Sequence, residues 1–151
     1  MVTISKTGGP GLRFENEVVR LEVNESGGVS RGDLLKLELA DGAYSKVGAT
    51  STSDGIPSNL FGVAMEGGVN GQKIRVGVRG AFDVLCKYDV AVGEIVRQST
   101  STARALSKTA SNPASSGGSY NKIVGIALED APAASGTAIT KVLFDGITGF
   151  A

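Results

Sequence analysis

From Glu17 onward the chain is written in short alternations of apolar and polar residues, separated by turns rich in glycine. Val19, Leu21 and Val23 share one face over 17–23, with Arg20 and Glu22 opposite, the two-residue period of a half-buried strand. Asn24-Glu25-Ser26-Gly27-Gly28 then turns the chain. Leu35, Leu37 and Leu39 alternate with Lys36 and Glu38 and run into Asp41-Gly42, a hairpin signal that makes 43–47 the partner strand. The apolar run over 59–66 predicts a strand covered on both sides. Asn70-Gly71 is the strongest hairpin signal, because a type I′ turn needs positive φ at both central residues. Ile74, Val76 and Val78 point inward from a strand over 72–78, and a further strand over 80–87 follows a bend at Gly80. Strands are predicted again over 94–97, 123–129 and 137–144, with a turn over 130–136. A short strand within 103–108 interrupts the polar stretch 98–121, and 109–119 reads as a polar loop. No segment sustains a 3.6-residue apolar period. The prediction is ten to twelve short strands in an all-β fold, either a barrel or a sandwich.

The blocks recur. Gly32-Asp33-Leu34-Leu35-Lys36 matches Gly93-Glu94-Ile95-Val96-Arg97, and Gly62-Val63-Ala64-Met65-Glu66 matches Gly125-Ile126-Ala127-Leu128-Glu129. Gly80-Ala81-Phe82 corresponds more loosely to the stretch from Gly146 to Phe150. The expectation is two duplicated halves, about 29–87 and 88–151, within a single β domain over 17–151. A unit of about 60 residues buries a thin core, so the halves are expected to share one. Residues 1–16, with Gly8-Gly9-Pro10-Gly11, read as a flexible N-terminal arm. Leu12, Arg13, Phe14 and Glu15 alternate at its end and could form a strand by pairing with a partner, so they are the candidate partner-binding residues.

Composition removes several classes of chemistry. There is no histidine, so no histidine-based triad and no imidazole metal ligand. The single cysteine, Cys86, cannot form an internal disulfide and lies in an apolar run, where it reads as a buried small hydrophobe. Lys plus Arg and Asp plus Glu both number 15, which is not the basic footprint of a nucleic-acid binder. No apolar run approaches the length of a membrane span, and the first residues lack the layout of a signal peptide. The expectation is therefore no nucleic acid, no membrane and synthesis in a cytoplasm.

Each short motif has a structural explanation. Arg31-Gly32-Asp33 spells an adhesion tripeptide, but its counterpart Val92-Gly93-Glu94 reduces the requirement to a turn followed by an acid. Asn24-Glu25-Ser26 fits a glycosylation sequon and reads as a turn. Glu66 and Glu129 occupy matching strand ends and read as solvated acids or hydrogen-bond acceptors for turn amides rather than as an acid–base pair. Arg75, Arg79, Arg97 and Arg104 either line a surface for an acidic partner or sit on solvated strand faces. The glycine clusters fit no phosphate-binding pattern. No catalytic, cofactor-binding, metal or small-molecule site is assigned, and the chain is read as not an enzyme.

Taken together, Gly-Asp-Leu-Leu-Lys over 32–36, Phe-Gly-Val-Ala-Met-Glu over 61–66 and the strand from Ile74 to Phe82 form a pattern. It resembles the small capsid decoration, or cement, proteins of tailed bacteriophages, and the resemblance covers about 29–151. It implies an all-β homotrimer on the outer surface of an icosahedral head, bridging neighbouring major capsid protein subunits against internal DNA pressure. It carries over no catalytic residues. The alternatives are another virion component, such as a head-fibre base or tail protein, or a small carbohydrate-binding module. The last is thinly supported in a chain with no Trp and three Tyr.

Overall fold

The computed structural model describes residues 16–51, 60–108 and 123–146. Among them there is no helix, and nine strands run in chain order: β1 (Glu17–Val23), β2 (Leu34–Ala40), β3 (Ala43–Ala49), β4 (Leu60–Ala64), β5 (Lys73–Lys87), β6 (Ile95–Gln98), β7 (Leu106–Lys108), β8 (Ile123–Ala127) and β9 (Thr137–Asp145). The ten to twelve strands predicted are fewer here because 72–78 and 80–87 form one continuous strand of 15 residues, β5. Gly80, at φ +133°, bends that strand without ending it. A Cβ there would run into Asn16, so the close approach of the chain entering β1 requires glycine.

The pairings close into barrels. β1, β3, β2, β4 and β5 follow one another, and β1 pairs back onto β5 to complete an N-terminal ring. β5, β7, β6, β8 and β9 form a second circuit, closed by β9 on β5. Closure leaves no sheet edge within either circuit. β5 belongs to both, its first half facing β1 and β4 and its second half facing β7 and β9.

Both rings use the same local grammar. Each has one parallel pair, β1 with β3 and β5 with β7. Each has a bulge one residue past the same pairing, between Leu35 and Lys36 and between Val96 and Arg97. The turn amides match as well: Gly32 N donates to Ala64 O and Gly93 N to Ala127 O, both at 2.8 Å.

Two apolar clusters fill the interior, in place of the single shared core expected. One holds Val23, Leu35, Val47, Ala64, Ile74 and Val76 inside the N-terminal ring. The other holds Val84, Cys86, Val96, Leu106, Val142 and Phe144 of the C-terminal ring, together with Leu34, Leu60 and Val63, which the N-terminal ring presents outward to it. The rings are therefore sealed to one another by apolar packing as well as by β5.

The turns exchange roles relative to the prediction. Asp41 and Gly42, at φ +53° and +81°, form the type I′ hairpin between β2 and β3. At Asn70-Gly71 only Gly71 has positive φ, and Gln72 N donates to Val69 O at 3.0 Å, a turn of the type II kind within the link from β4 to β5. The bulge between Glu38 and Leu39 also reverses the expected inward side chain at Leu39, which is exposed beside its cross-strand partner Tyr44.

Candidate interaction surface

The acids at matching positions are engaged with backbone. Glu66 Oε1 accepts from Arg75 N and Glu129 Oε1 from Lys141 N, both at 2.9 Å. These amides lie on the neighbouring strands β5 and β9 rather than in turns. The hydrogen bond from the Arg75 amide holds the Glu66 carboxyl below its ordinary range. Asp33 and Glu94 each close the turn before them, accepting from Ser30 N and Ala91 N at 2.9 Å. The Arg31-Gly32-Asp33 segment is thus a turn, with Asp33 N also donating to Ser30 O.

The basic side chains placed on a surface for an acidic partner are largely spent inside the chain. Arg79 spans Glu17 and Asp145, at 3.2 Å from each, and those two carboxylates raise its pKa further. Arg75 lies 3.5 Å from Glu66. Arg104, at φ +65°, reaches Asp33 Oδ2 at 2.9 Å and Gly28 O at 3.2 Å. Arg97 is half-buried on β6. At the ring junction Asp83 is held between Arg31 at 3.3 Å and Lys141 at 3.1 Å. They border a shallow depression of about 130 Å³ that Asn16, Met65 and Phe82 also line.

Cys86 is fully buried, and loss of solvation pushes its thiol up to about 12, against a weaker pull from its hydrogen bond with Thr140. Such a thiol is a packing group rather than a nucleophile. Among the described residues no three of His, Cys, Asp and Glu come together to hold a metal.

What the described body does present is apolar surface. Leu39 and Tyr44 flank the β2–β3 hairpin tip, Val18 and Val19 lie on β1, and Val92, Ile95 and Leu128 lie on the C-terminal ring. The alternation rule missed these, because it assigns faces within a strand but not which outer face another ring covers. The candidate partner-binding residues Leu12, Arg13, Phe14 and Glu15 lie outside the described residues. The chain that follows them is anchored at Asn16, whose Oδ1 accepts from Ala81 N at 3.1 Å, beside the bend in the shared strand.

No curated protein matches the sequence. Among solved structures the fold is similar to that of the head fiber gp8.5 N base of bacteriophage phi29, with a TM-score of 0.55 and 17% identity. The likeness covers 85% of this chain and 95% of that one, and at this identity it speaks for the fold. A family model described as phage cement protein matches residues 15–142, from the residue before Asn16 to the middle of β9 and so across both rings. On that match the chain belongs to the phage cement protein family.

Proposed function

We propose that the protein decorates and stabilises an icosahedral phage head from its outer surface, bridging neighbouring major capsid protein subunits as a homotrimer. The observation that carries this reading is the cement-protein match across 15–142. It is supported by a body in which Asp33, Glu66, Arg79 and Arg104 are engaged with its own strands, turns and junction, while apolar side chains remain exposed. The protein acts as a structural component, without catalysis or cofactor, and reaches the virion after synthesis in the host cytoplasm. Its two rings descend from one duplicated unit, and the strand pairings favour copies running from β1 to the first half of β5 and from the second half of β5 to β9 over the halves expected at about 29–87 and 88–151. The matching bulges, parallel pairs and turn amides support that origin. The arm, 1–16, contacts the capsid or a neighbouring protomer through Leu12, Arg13, Phe14 and Glu15 by strand addition. Many such modest contacts on a lattice add up by multivalency.

Co-sedimentation of the full chain with empty capsids, together with its native mass, tests the reading. A monomer that stays in the supernatant would overturn it. Removal of 1–15, which spares the Asn16 anchor, should abolish capsid binding with the melting temperature unchanged; full occupancy by the truncated chain removes the arm from the mechanism.

A second reading, the base of a head fibre, is favoured by the fold likeness to the phi29 protein. Copy number separates the two. A cement protein fills a lattice of equivalent sites, whereas a fibre base carries a projecting segment visible in images of the head.

A further inference from the structure

One outer face occurs twice in this chain and is covered only once. In the N-terminal ring Leu34 pairs with Val63, and in the C-terminal ring Ile95 pairs with Ile126 at the same register. Leu34 and Val63 are fully buried in the cluster of the other ring, whereas Ile95 is 45% exposed. Met65 and Leu128 also correspond, since their amides donate to Arg75 O and Lys141 O. Met65 packs against that same cluster, and Leu128 is 38% exposed. The turn glycines show the same contrast. A Cβ on Gly32 would strike Ile139 of the opposite ring, while nothing lies within 4 Å of one on Gly93.

The complementary side is also present twice. Phe82, buried at the ring junction against Gly77, pairs with Val142. Its register equivalent in the N-terminal ring is Val19, which pairs with Val76. Val19 and its neighbour Val18 are exposed. Each chain thus carries one used junction and the two halves of an unused one.

We propose that the face centred on Ile95 and Leu128 docks against Val19 at the start of β1 of a second copy of this chain, repeating between molecules the junction that joins the rings within one. The inference rests on the reading that several copies associate, and adds which surfaces meet. The contact is heterologous, so it closes into a cycle when the rotation per copy allows. Its charge pattern differs from the internal junction. The internal pair Arg31–Asp83 corresponds by register to Val92 and Arg20, which form no ion pair. The contact between copies therefore lacks that ion pair, and its strength should depend less on salt between about 0.1 M and 1 M than the internal junction's ion pairs do, since exposed ion pairs are screened over that range.

The test uses the full chain with single cysteines at the two surfaces, the native Cys86 being buried. Val19→Cys and Leu128→Cys are each treated alone, and then mixed, with a short bismaleimide. Covalent dimers are expected from the mixture and not from either variant alone. Leu128→Cys linking to itself would overturn the proposal, because it reports a symmetric contact. Separately, Ile95→Glu with Leu128→Glu should reduce the native mass to that of one chain at unchanged melting temperature. If the wild type is multimeric and this variant keeps its mass, the docking surface is wrong while the association stands. A wild type that is monomeric in solution, together with mixed Val19→Cys and Leu128→Cys chains that remain unlinked on capsids, removes the association itself.

Discussion

Arg104 of the C-terminal ring and Asp33 of the N-terminal ring form an ion pair of 2.9 Å across the junction, with the Asp33 side chain only 7% exposed. The arginine backbone is tied at the same place, since Arg104 N donates to Thr50 O and Leu34 N donates to Arg104 O. Removing the guanidinium leaves a buried carboxylate whose remaining partner among the described residues is the Ser30 amide.

Arg104→Ala should therefore destabilise the fold by about 2 kcal/mol, the cost of leaving a buried charged acceptor underpaired. In thermal denaturation that is a drop of roughly 4–8 °C for a chain of this size. Because Arg104 sits at φ +65°, Arg104→Gly should be less damaging than Arg104→Ala, the reverse of the usual order outside turns. Equal or inverted losses would show that the backbone strain is relieved elsewhere.

Two glycines separate packing from backbone conformation. At Gly125 a Cβ would lie 2.5 Å from Leu143 O, so Gly125→Ala forces β8 and β9 apart and should cost about 3 kcal/mol. At Gly93 the space is open and the cost is that of φ +83° alone, about 1 kcal/mol. Urea titration of both variants should give the larger shift in midpoint at Gly125.

Cys86 predicts a loss of stability on the alkaline side. Its thiol stays protonated in the fold up to about 12, whereas in the unfolded chain it ionises near the ordinary value of 9.0. Between those values the folded state holds the extra proton, so stability falls as pH rises, by about 1 kcal/mol per pH unit from this group. Cys86→Ala should flatten the dependence between pH 9 and 11 relative to wild type, as read from denaturant midpoints. The native thiol should also resist thiol reagents until the chain unfolds; rapid labelling at neutral pH would contradict its burial.

Glu66 carries the opposite sign. The Arg75 amide favours its carboxylate, so its contribution is present above the ordinary 4.5 and is lost as pH falls through the lower folded value. Carbon-13 NMR of the carboxyl should follow a titration midpoint below 4.5 in the wild type. Deleting the amide's partner by Glu66→Ala removes part of the acid sensitivity of unfolding.

Sequence patterning located these features unevenly. The inward sets Ile74, Val76 and Val78, and the hairpin at Asp41-Gly42, were legible because each is decided by neighbours within a few residues. Asn70-Gly71 misled because the type I′ code presupposes two strands already adjacent, whereas here the turn lies in a longer link. Gly80 read as a break because sequence does not reveal that Asn16 fills the space of its missing side chain. Leu39 alternates correctly until a bulge, which no local preference marks, turns it outward. The ion pair at the junction joins residues 71 positions apart, and nothing near Arg104 announces Asp33. Leu34 and Ile95 are close chemical equivalents with opposite burial, and only the order of the rings along β5 distinguishes them.

The shared strand also has a mechanical meaning. Where two domains meet through side chains, a pull on one is resisted only by the seam, which separates contact by contact. Here the 15 residues of β5 thread both rings, so tension entering at one end is carried along covalent backbone to the other. To part the rings, β5 must be sheared from β1 and β4 at one end or from β7 and β9 at the other, breaking a row of hydrogen bonds together rather than unzipping them singly. If a cement protein that bridges capsid subunits grips one through each ring, such a path would make the molecule stiff against tension between them.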